Sequence, residues 1–318
     1  ASAASRCAQR GFLRMGDTDF SDYSSKVTFM FPGQGAQFVG MAANICEEVP
    51  KAKEMFEKAN DILGYDLLDR CQNGPKDLLD STEVSQPAIF VCSMAAVEKM
   101  RQEMGDEAVD AATSAMGLSL GEYSALCFAG ALSFEDGVKV TKARGEAMQA
   151  ASDATDGGMV SVIGLSADKV DEVCKAAAEQ SGQPIALANY LCNGNYAVSG
   201  AKGACDVLEK IAKPDFKARM TVRLAVAGAF HTDFMAAAVD KLGEVLDTIE
   251  IKKPRIPVVS NVDAEPHSDP AVIKELLKKQ VTNPVLWEKS VGNALEKGFE
   301  QGYECGPGKV SAAIRCRL

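Results

Sequence analysis

AATSAMGLSLGEYSALCFAGAL, residues 111–132, runs from a short apolar segment through a G-x-S-x-G turn into a helical pattern. Alanine is no strand former, yet AATSAMG (111–117) is short, apolar and glycine-bounded, which fits a buried strand. GEYSALCFAGAL then reads as a helix. Strand, glycine turn and helix in that order are the grammar of an α/β sheet, whose ligands gather at the carboxyl ends of the strands. In such a turn Ser119 sits on a sharp bend with its hydroxyl exposed, and Gly117 and Gly121 flank it because bulkier residues would clash. The helix beginning at Gly121 adds its positive end. The expectation is a nucleophilic serine.

Working outward, KVTFMF (26–31) is an apolar run stopped by Pro32 and Gly33, a buried strand feeding a tight turn. Helical patterns follow to about residue 105, and FEDGVKVTKARGEAMQAA (134–151) reads as a further helix. Between 157 and 226 the chain alternates MVSVIGL (strand), SADKVDEVCKAAAEQ (helix), PIALANY (strand), NYAVSG (strand), AKGACDVLEKIAK (helix) and ARMTVRLAV (strand). That is β-α-β-β-α-β, the ferredoxin-like arrangement. PVVS (257–260) and GFEQGYECGPG (298–308) return to strand followed by turn. The expected architecture is a small domain, 157–226, inserted into a larger α/β domain, 26–156 and 227–318, with a cleft between them. The first 25 residues carry Arg6, Arg10 and Arg14, are rich in Ser and Ala, and hold no acid before Asp17. They read as a transit-peptide remnant or a disordered leader outside the fold.

The 318 residues carry 34 Lys and Arg against 44 Asp and Glu, a formal net charge of −10. This argues against a nucleic-acid or anionic-membrane binder, which needs a basic face. Apolar residues at 47% supply ample core, and LAVAGAF (224–230) is far short of a membrane span. The ten cysteines form no C-x-x-C pair and only two histidines accompany them, so no metal site is expected. Cys92 and Cys127 lie in apolar runs, as small hydrophobes in a reducing compartment do.

A serine at neutral pH requires a base, and only His231 and His267 are available. His267 lies in DAEPHSDP, an acidic, proline-bounded loop that predicts a solvated imidazole. His231 follows LAVAGAF and precedes a helix, so it is expected at a strand end, as the base. No acid between the two stands out at a strand end, which favours a Ser-His dyad with a backbone carbonyl as the third group. The turn FPGQG (31–35) can complete an oxyanion hole from the backbone N–H groups of Gln34 and Leu120. Arg144, in TKARGEAMQ, reads on its residues alone as a solvated arginine on a polar face. The alternative gives its planar guanidinium a substrate carboxylate.

FPGQGAQ (31–37), SQPA around Gln86, GLSLGEYSAL (117–126), RGEAMQ (144–149), AFH (229–231) and GYECGPGKV (302–310) together resemble the malonyl-CoA:acyl carrier protein transacylases, over residues 26–318. The resemblance implies an α/β-hydrolase-like large domain with an inserted ferredoxin-like (βαββαβ) small domain. It implies Ser119 as the acylated nucleophile, His231 as base, Arg144 as partner of the malonyl carboxylate, and Gln34 and Leu120 as oxyanion donors. Gln86 matches an active-site glutamine, and Gln280 in KKQVTNPV matches the residue whose main-chain carbonyl orients the histidine. The implied reaction is ping-pong transfer of malonyl from coenzyme A to the phosphopantetheine thiol of acyl carrier protein, with no metal or redox cofactor, by a monomer. A serine esterase or thioesterase using the same elbow is the rival, and a binding module without turnover ranks last. Many members have histidine where this chain has Leu118, a change that leaves the chemistry and removes a secondary contact to the acyl group. GLSLGEY preceded by AMG resembles plant and algal members, which implies a plastid stroma, the mitochondrial matrix being the alternative. Phe230 resembles the malonyl-selecting variant of related polyketide acyltransferases. Docking of an acidic carrier calls for a local basic patch, for which IKKPR (251–255), KELLKK (274–279) and RCR (315–317) are candidates.

Overall fold

A computed structural model describes residues 20–308. Among them eight strands, β1 (Val27–Phe31), β2 (Ser114–Gly117), β3 (Gly157–Ile163), β4 (Ile185–Cys192), β5 (Asn195–Ala201), β6 (Met220–Arg223), β7 (Val258–Val259) and β8 (Gln301–Glu304), fall into two sheets. The first is parallel throughout, in the order β7-β2-β1-β8. A parallel sheet is covered on both faces, so its strands read as continuous apolar runs. In β1 the alternation still sorts side chains between two cores. Phe29 and Phe31 face one cluster with Phe56, Phe90 and Leu126, while Met30 faces another with Met116, Val259 and Trp287. Phe29 stacks on Phe128 at 4.5 Å, which pins the helix Gly121–Phe128 to the sheet.

The second sheet is antiparallel, in the order β4-β5-β3-β6. The helices Ala167–Ser181 and Lys202–Ile211 supply its connections, in the β-α-β-β-α-β order read from the sequence. It has its own apolar cluster, including Val160, Val162, Val170, Val173 and Leu208. A parallel bridge ties β4 to the segment before the helix Trp287–Glu296, with Val285 N–H donating to Ala188 O at 2.8 Å and Tyr190 N–H to Val285 O at 2.9 Å.

Three expectations are corrected. The leader was bounded at residue 25, but Ser25 is fully buried; its N–H donates to Lys297 O at 3.0 Å and its carbonyl accepts from Thr28 Oγ1 at 2.9 Å. Residues 20–25 therefore belong to the fold, and residues 1–19 of that leader lie outside the described residues. The strand expected over 218–226 pairs with β3 only across Met220–Arg223, and LAVAGAF leaves the sheet as coil. There Gly228 lies so close to the helix Phe134–Asp153 that a Cβ would fall 2.2 Å from Ser152 Oγ. The strand AATSAMG is confined to Ser114–Gly117, all four residues buried between β7 and β1. No helix among the described residues is long and apolar enough to cross a membrane.

Candidate active site

Ser119 stands between the end of β2 and the helix Gly121–Phe128, with φ of 52°. A left-handed conformation costs a serine about 1–3 kcal/mol and persists only where the surroundings over-determine it. Here they do. Asn261, just after β7, accepts the Ser119 N–H on Oδ1 at 2.6 Å and donates Nδ2 to Gly117 O at 2.7 Å. A Cβ on Gly117 would fall 1.9 Å from the Gly121 carbonyl carbon, and one on Gly121 would fall 2.2 Å from Phe31 O. The glycines on either side of the serine are thus imposed by contact of the turn with itself and with the end of β1.

His231 reaches this serine from the coil after β6, not from a strand end, and its own φ is 60°. Its Nε2 lies 2.9 Å from Ser119 Oγ and its Nδ1 2.7 Å from the main-chain oxygen of Gln280. A carbonyl only accepts, so Nδ1 carries the hydrogen and Nε2 presents its lone pair to the serine hydroxyl. Burial, with the Arg144 charge beside it, holds the imidazole down to about 4, so it is a neutral acceptor at physiological pH. His267 corrects the other expectation: it is buried rather than solvated, with Nε2 2.8 Å from Asp263 Oδ2.

Arg144 overturns the reading of a solvated face. It is 1% exposed, on the helix Phe134–Asp153. Its Nη1 donates to Gln86 Oε1 at 2.8 Å, and Nη2 to Ser119 Oγ at 3.1 Å and to Gln280 Oε1 at 2.9 Å. The ring of Tyr123 lies 5.4 Å from the guanidinium carbon. Gly145 explains the approach: a Cβ there would fall 2.7 Å from Thr82 O, so the Arg144 helix presses against the start of the helix Thr82–Met104 that carries Gln86. Each of these hydrogen-bonding oxygens is neutral, and among the described residues no carboxylate forms an ion pair with this guanidinium.

The turn after β1 abuts the serine turn closely, since a Cβ on Gly33 would fall 2.4 Å from Leu118 O. Among the described residues the backbone N–H groups of Gln34 and Leu120 form no hydrogen bond, and the Gln34 side chain donates to Thr82 Oγ1 at 3.3 Å. Leu118 is buried with Met30, Met116 and Trp287. Phe230 is buried in the main core beside the histidine it precedes.

Three groups escaped the sequence reading. Asn261 follows PVVS and belongs to no motif. Glu122 lies inside the elbow motif, where an acid at an otherwise apolar helix start is the one signal of a role; it is 3% exposed. The resemblance implies a role only for the Gln280 main-chain carbonyl, yet its side-chain Nε2 donates to Ser119 O at 3.0 Å and to Glu122 Oε2 at 2.7 Å. No group of three His, Cys, Asp or Glu side chains suited to a metal ion occurs among the described residues.

A serine on a strand-to-helix turn, bonded to a neutral imidazole and faced by a buried guanidinium, defines the class as a serine-dependent acyl-group enzyme on an α/β scaffold. The chain matches the acyl transferase domain family over residues 28–313 and belongs to it. It is 41% identical over 299 residues to the mitochondrial malonyl-CoA-acyl carrier protein transacylase of Mus musculus, covering 90% of this chain and 77% of the relative. The solved malonyl CoA-acyl carrier protein transacylase of Coxiella burnetii superposes with a TM-score of 0.87 at 34% identity, over 93% of this chain and 92% of that one. A malonyl-transacylase solved in complex with its type II PKS acyl-carrier protein gives 0.86 at 35% identity, over 92% and 93%.

Proposed function

We propose that the protein moves a malonyl group from coenzyme A to the phosphopantetheine thiol of acyl carrier protein, through a malonyl ester of Ser119. The observation that carries this reading is Arg144: a buried guanidinium 3.1 Å from the nucleophile, its hydrogen bonds among the described residues made only to neutral oxygens and its Nε left without a partner there. A buried cation of that kind is complementary to an acyl group ending in a carboxylate, and it disfavours a neutral chain that would leave the charge unpaired.

In the first half-reaction His231 Nε2 takes the Ser119 proton as Oγ attacks the thioester carbon. The oxyanion forms against the amides of Gln34 and Leu120, each such donor being worth about 3–4 kcal/mol. The C–S bond then breaks, and Nε2 returns the proton to the coenzyme A sulfur. In the second, Nε2 deprotonates the carrier thiol, sulfur attacks the malonyl ester, the C–Oγ bond breaks, and Oγ recovers its proton. Gln280 O keeps the imidazole in the required tautomer throughout. Ser119, His231 and these donors supply every proton and charge, so the reading calls for no metal or redox group.

We further read 157–226 as a ferredoxin-like insert and 26–156 with 227–318, extended to take in 20–25, as an α/β-hydrolase-like domain; the order β4-β5-β3-β6 and the parallel sheet support this. All the site groups come from one chain, which fits a monomer. The GLSLGEY motif supports the plastid stroma, and the mitochondrial name of the mouse relative supports the matrix as the alternative.

The test is the intact mass of the protein after mixing with malonyl-CoA, beside Ser119→Ala, then after adding holo acyl carrier protein. A malonyl adduct on the unmutated protein only, discharged onto the carrier, is the expected result. Free malonate released at a rate independent of carrier would instead make the enzyme a thioesterase.

A further inference from the structure

We propose that Glu122 is a positioning residue for Arg144 and for the Ser119 turn, acting through Gln280 and Asn261. This rests on the malonyl-transfer reading and assigns a role within the same site. Its Oε2 accepts two N–H donors, the Asn261 backbone at 3.0 Å and Gln280 Nε2 at 2.7 Å. Each donor residue then grips the catalytic groups. Asn261 clamps Ser119 N and Gly117 O with its side chain, whereas Gln280 offers Oε1 to Arg144 and its main-chain carbonyl to His231.

The geometry gives the acceptor at 122 a directing effect. An amide has one donor end and one acceptor end, and its orientation in a buried site is set by its neighbours. Glu122 Oε2 and the Ser119 carbonyl, both acceptors, claim the Gln280 NH2, so the carbonyl end must face Arg144. Shortening Glu122 leaves Gln280 Nε2 and the Asn261 N–H without that partner, at a position where water does not reach. The guanidinium is then free to turn away from the malonyl carboxylate.

The role belongs to the acceptor oxygen, not to the charge. Burial, with Asp263 adding to it, pushes the Glu122 carboxyl up to about 7, so it is neutral for much of the time near neutral pH. The nearby Ser260 hydroxyl acts in the opposite direction and favours the ionised carboxyl. A glutamine at 122 can accept both N–H groups on its oxygen and donate its NH2 to that hydroxyl.

Two near-isosteric variants separate the possibilities. Glu122→Gln keeps the reach and drops the charge; Glu122→Asp keeps the charge and withdraws the acceptor by about 1.5 Å. The readout is kcat/KM for Ser119 acylation by malonyl-CoA and by acetyl-CoA, whose neutral acyl group makes no demand on Arg144. We expect Glu122→Gln to stay within about threefold of the unmutated protein, and Glu122→Asp to lose about 10- to 100-fold with malonyl-CoA and distinctly less with acetyl-CoA. Gln280→Ala should lower the malonyl-to-acetyl ratio in the same way, and adding Glu122→Asp to it should lower the ratio no further. The assignment is overturned if Glu122→Asp matches the unmutated protein while Glu122→Gln fails, if both donors fall equally, or if the two changes multiply. Failure of the unmutated protein to form a malonyl-serine would refute the transfer reading itself, a separate outcome.

Discussion

A guanidinium keeps its charge at any physiological pH, and Arg144 does so almost wholly out of water. Burial pulls its pKa below the free value without removing the proton, and the neutral oxygens of Gln86, Gln280 and Ser119 share its hydrogens. Truncating one partner of a buried, hydrogen-bonded charge pair costs about 2–5 kcal/mol. Arg144→Ala should therefore lose roughly 30- to 5,000-fold in kcat/KM for malonyl-CoA, while neutral short acyl groups are transferred as well as before or better. An unchanged malonyl preference would sink the assignment of this arginine. The same change removes a positive charge that depresses the His231 pKa, so the acidic limb of the acylation rate, set near 4 in the unmutated protein, should move to higher pH. Ser119 was legible because its turn is local, and His231 because only two histidines exist. The burial of Arg144 was not, because nothing in TKARGEAMQ says which helix presses against it.

The serine turn works as an element because its backbone touches the end of β1. Gly121 meets Phe31 O where a Cβ would fall at 2.2 Å, and Leu118 N–H donates to the same oxygen at 3.0 Å. Gly121→Ala must push the two turns apart and with them the amides of Gln34 and Leu120. Overpacking of this kind costs about 1–3 kcal/mol of stability, and a displaced oxyanion donor about 100- to 1,000-fold in kcat. Gly292, inside the helix Trp287–Glu296, is the control: beyond its own helix backbone and chain neighbours, nothing among the described residues lies within 4 Å of where a Cβ would stand. Gly292→Ala should gain about 0.5–1 kcal/mol with activity unchanged. Denaturant midpoints and single-turnover acylation check both; a neutral Gly121→Ala would mean that the contact is not needed. At this scale the sequence marked both turns and the helix Gly121–Phe128 that follows the second. It misjudged LAVAGAF, since an apolar run buries itself equally well as coil against a helix as in a sheet.

Across the whole molecule, two apolar clusters are built on the two sheets and a third lies behind β1. The eight cysteines among the described residues form no disulfide with one another, and six are buried. Burial pushes Cys174 in the antiparallel layer and Cys305 after β8 up to about 12, so neither offers a thiolate at neutral pH. Native protein treated with a maleimide should keep Cys71, Cys92, Cys174, Cys192, Cys205 and Cys305 unmodified by peptide mapping, and lose that protection in guanidinium. Early labelling of Cys174 would show that its layer opens independently of the other. The candidate basic stretches are mixed-charge faces: Lys252 pairs with Glu250, Arg255 with Asp110, Lys274 with Asp247 and Lys278 with Glu275, while RCR lies outside the described residues. Hydrophobic period and glycine spacing let the sequence by itself determine the α/β class and the β-α-β-β-α-β order of elements, and with a shortage of histidines they singled out the serine turn and the imidazole that meets it. These are short-range properties of the chain. Only the tertiary structure decided the burial of Arg144 and the network of Glu122, Asn261 and Gln280 behind it. Asn261 meets Ser119 across 142 positions and Gln280 meets Glu122 across 158, and a hydrogen bond spanning that distance leaves no periodicity in the chain to read.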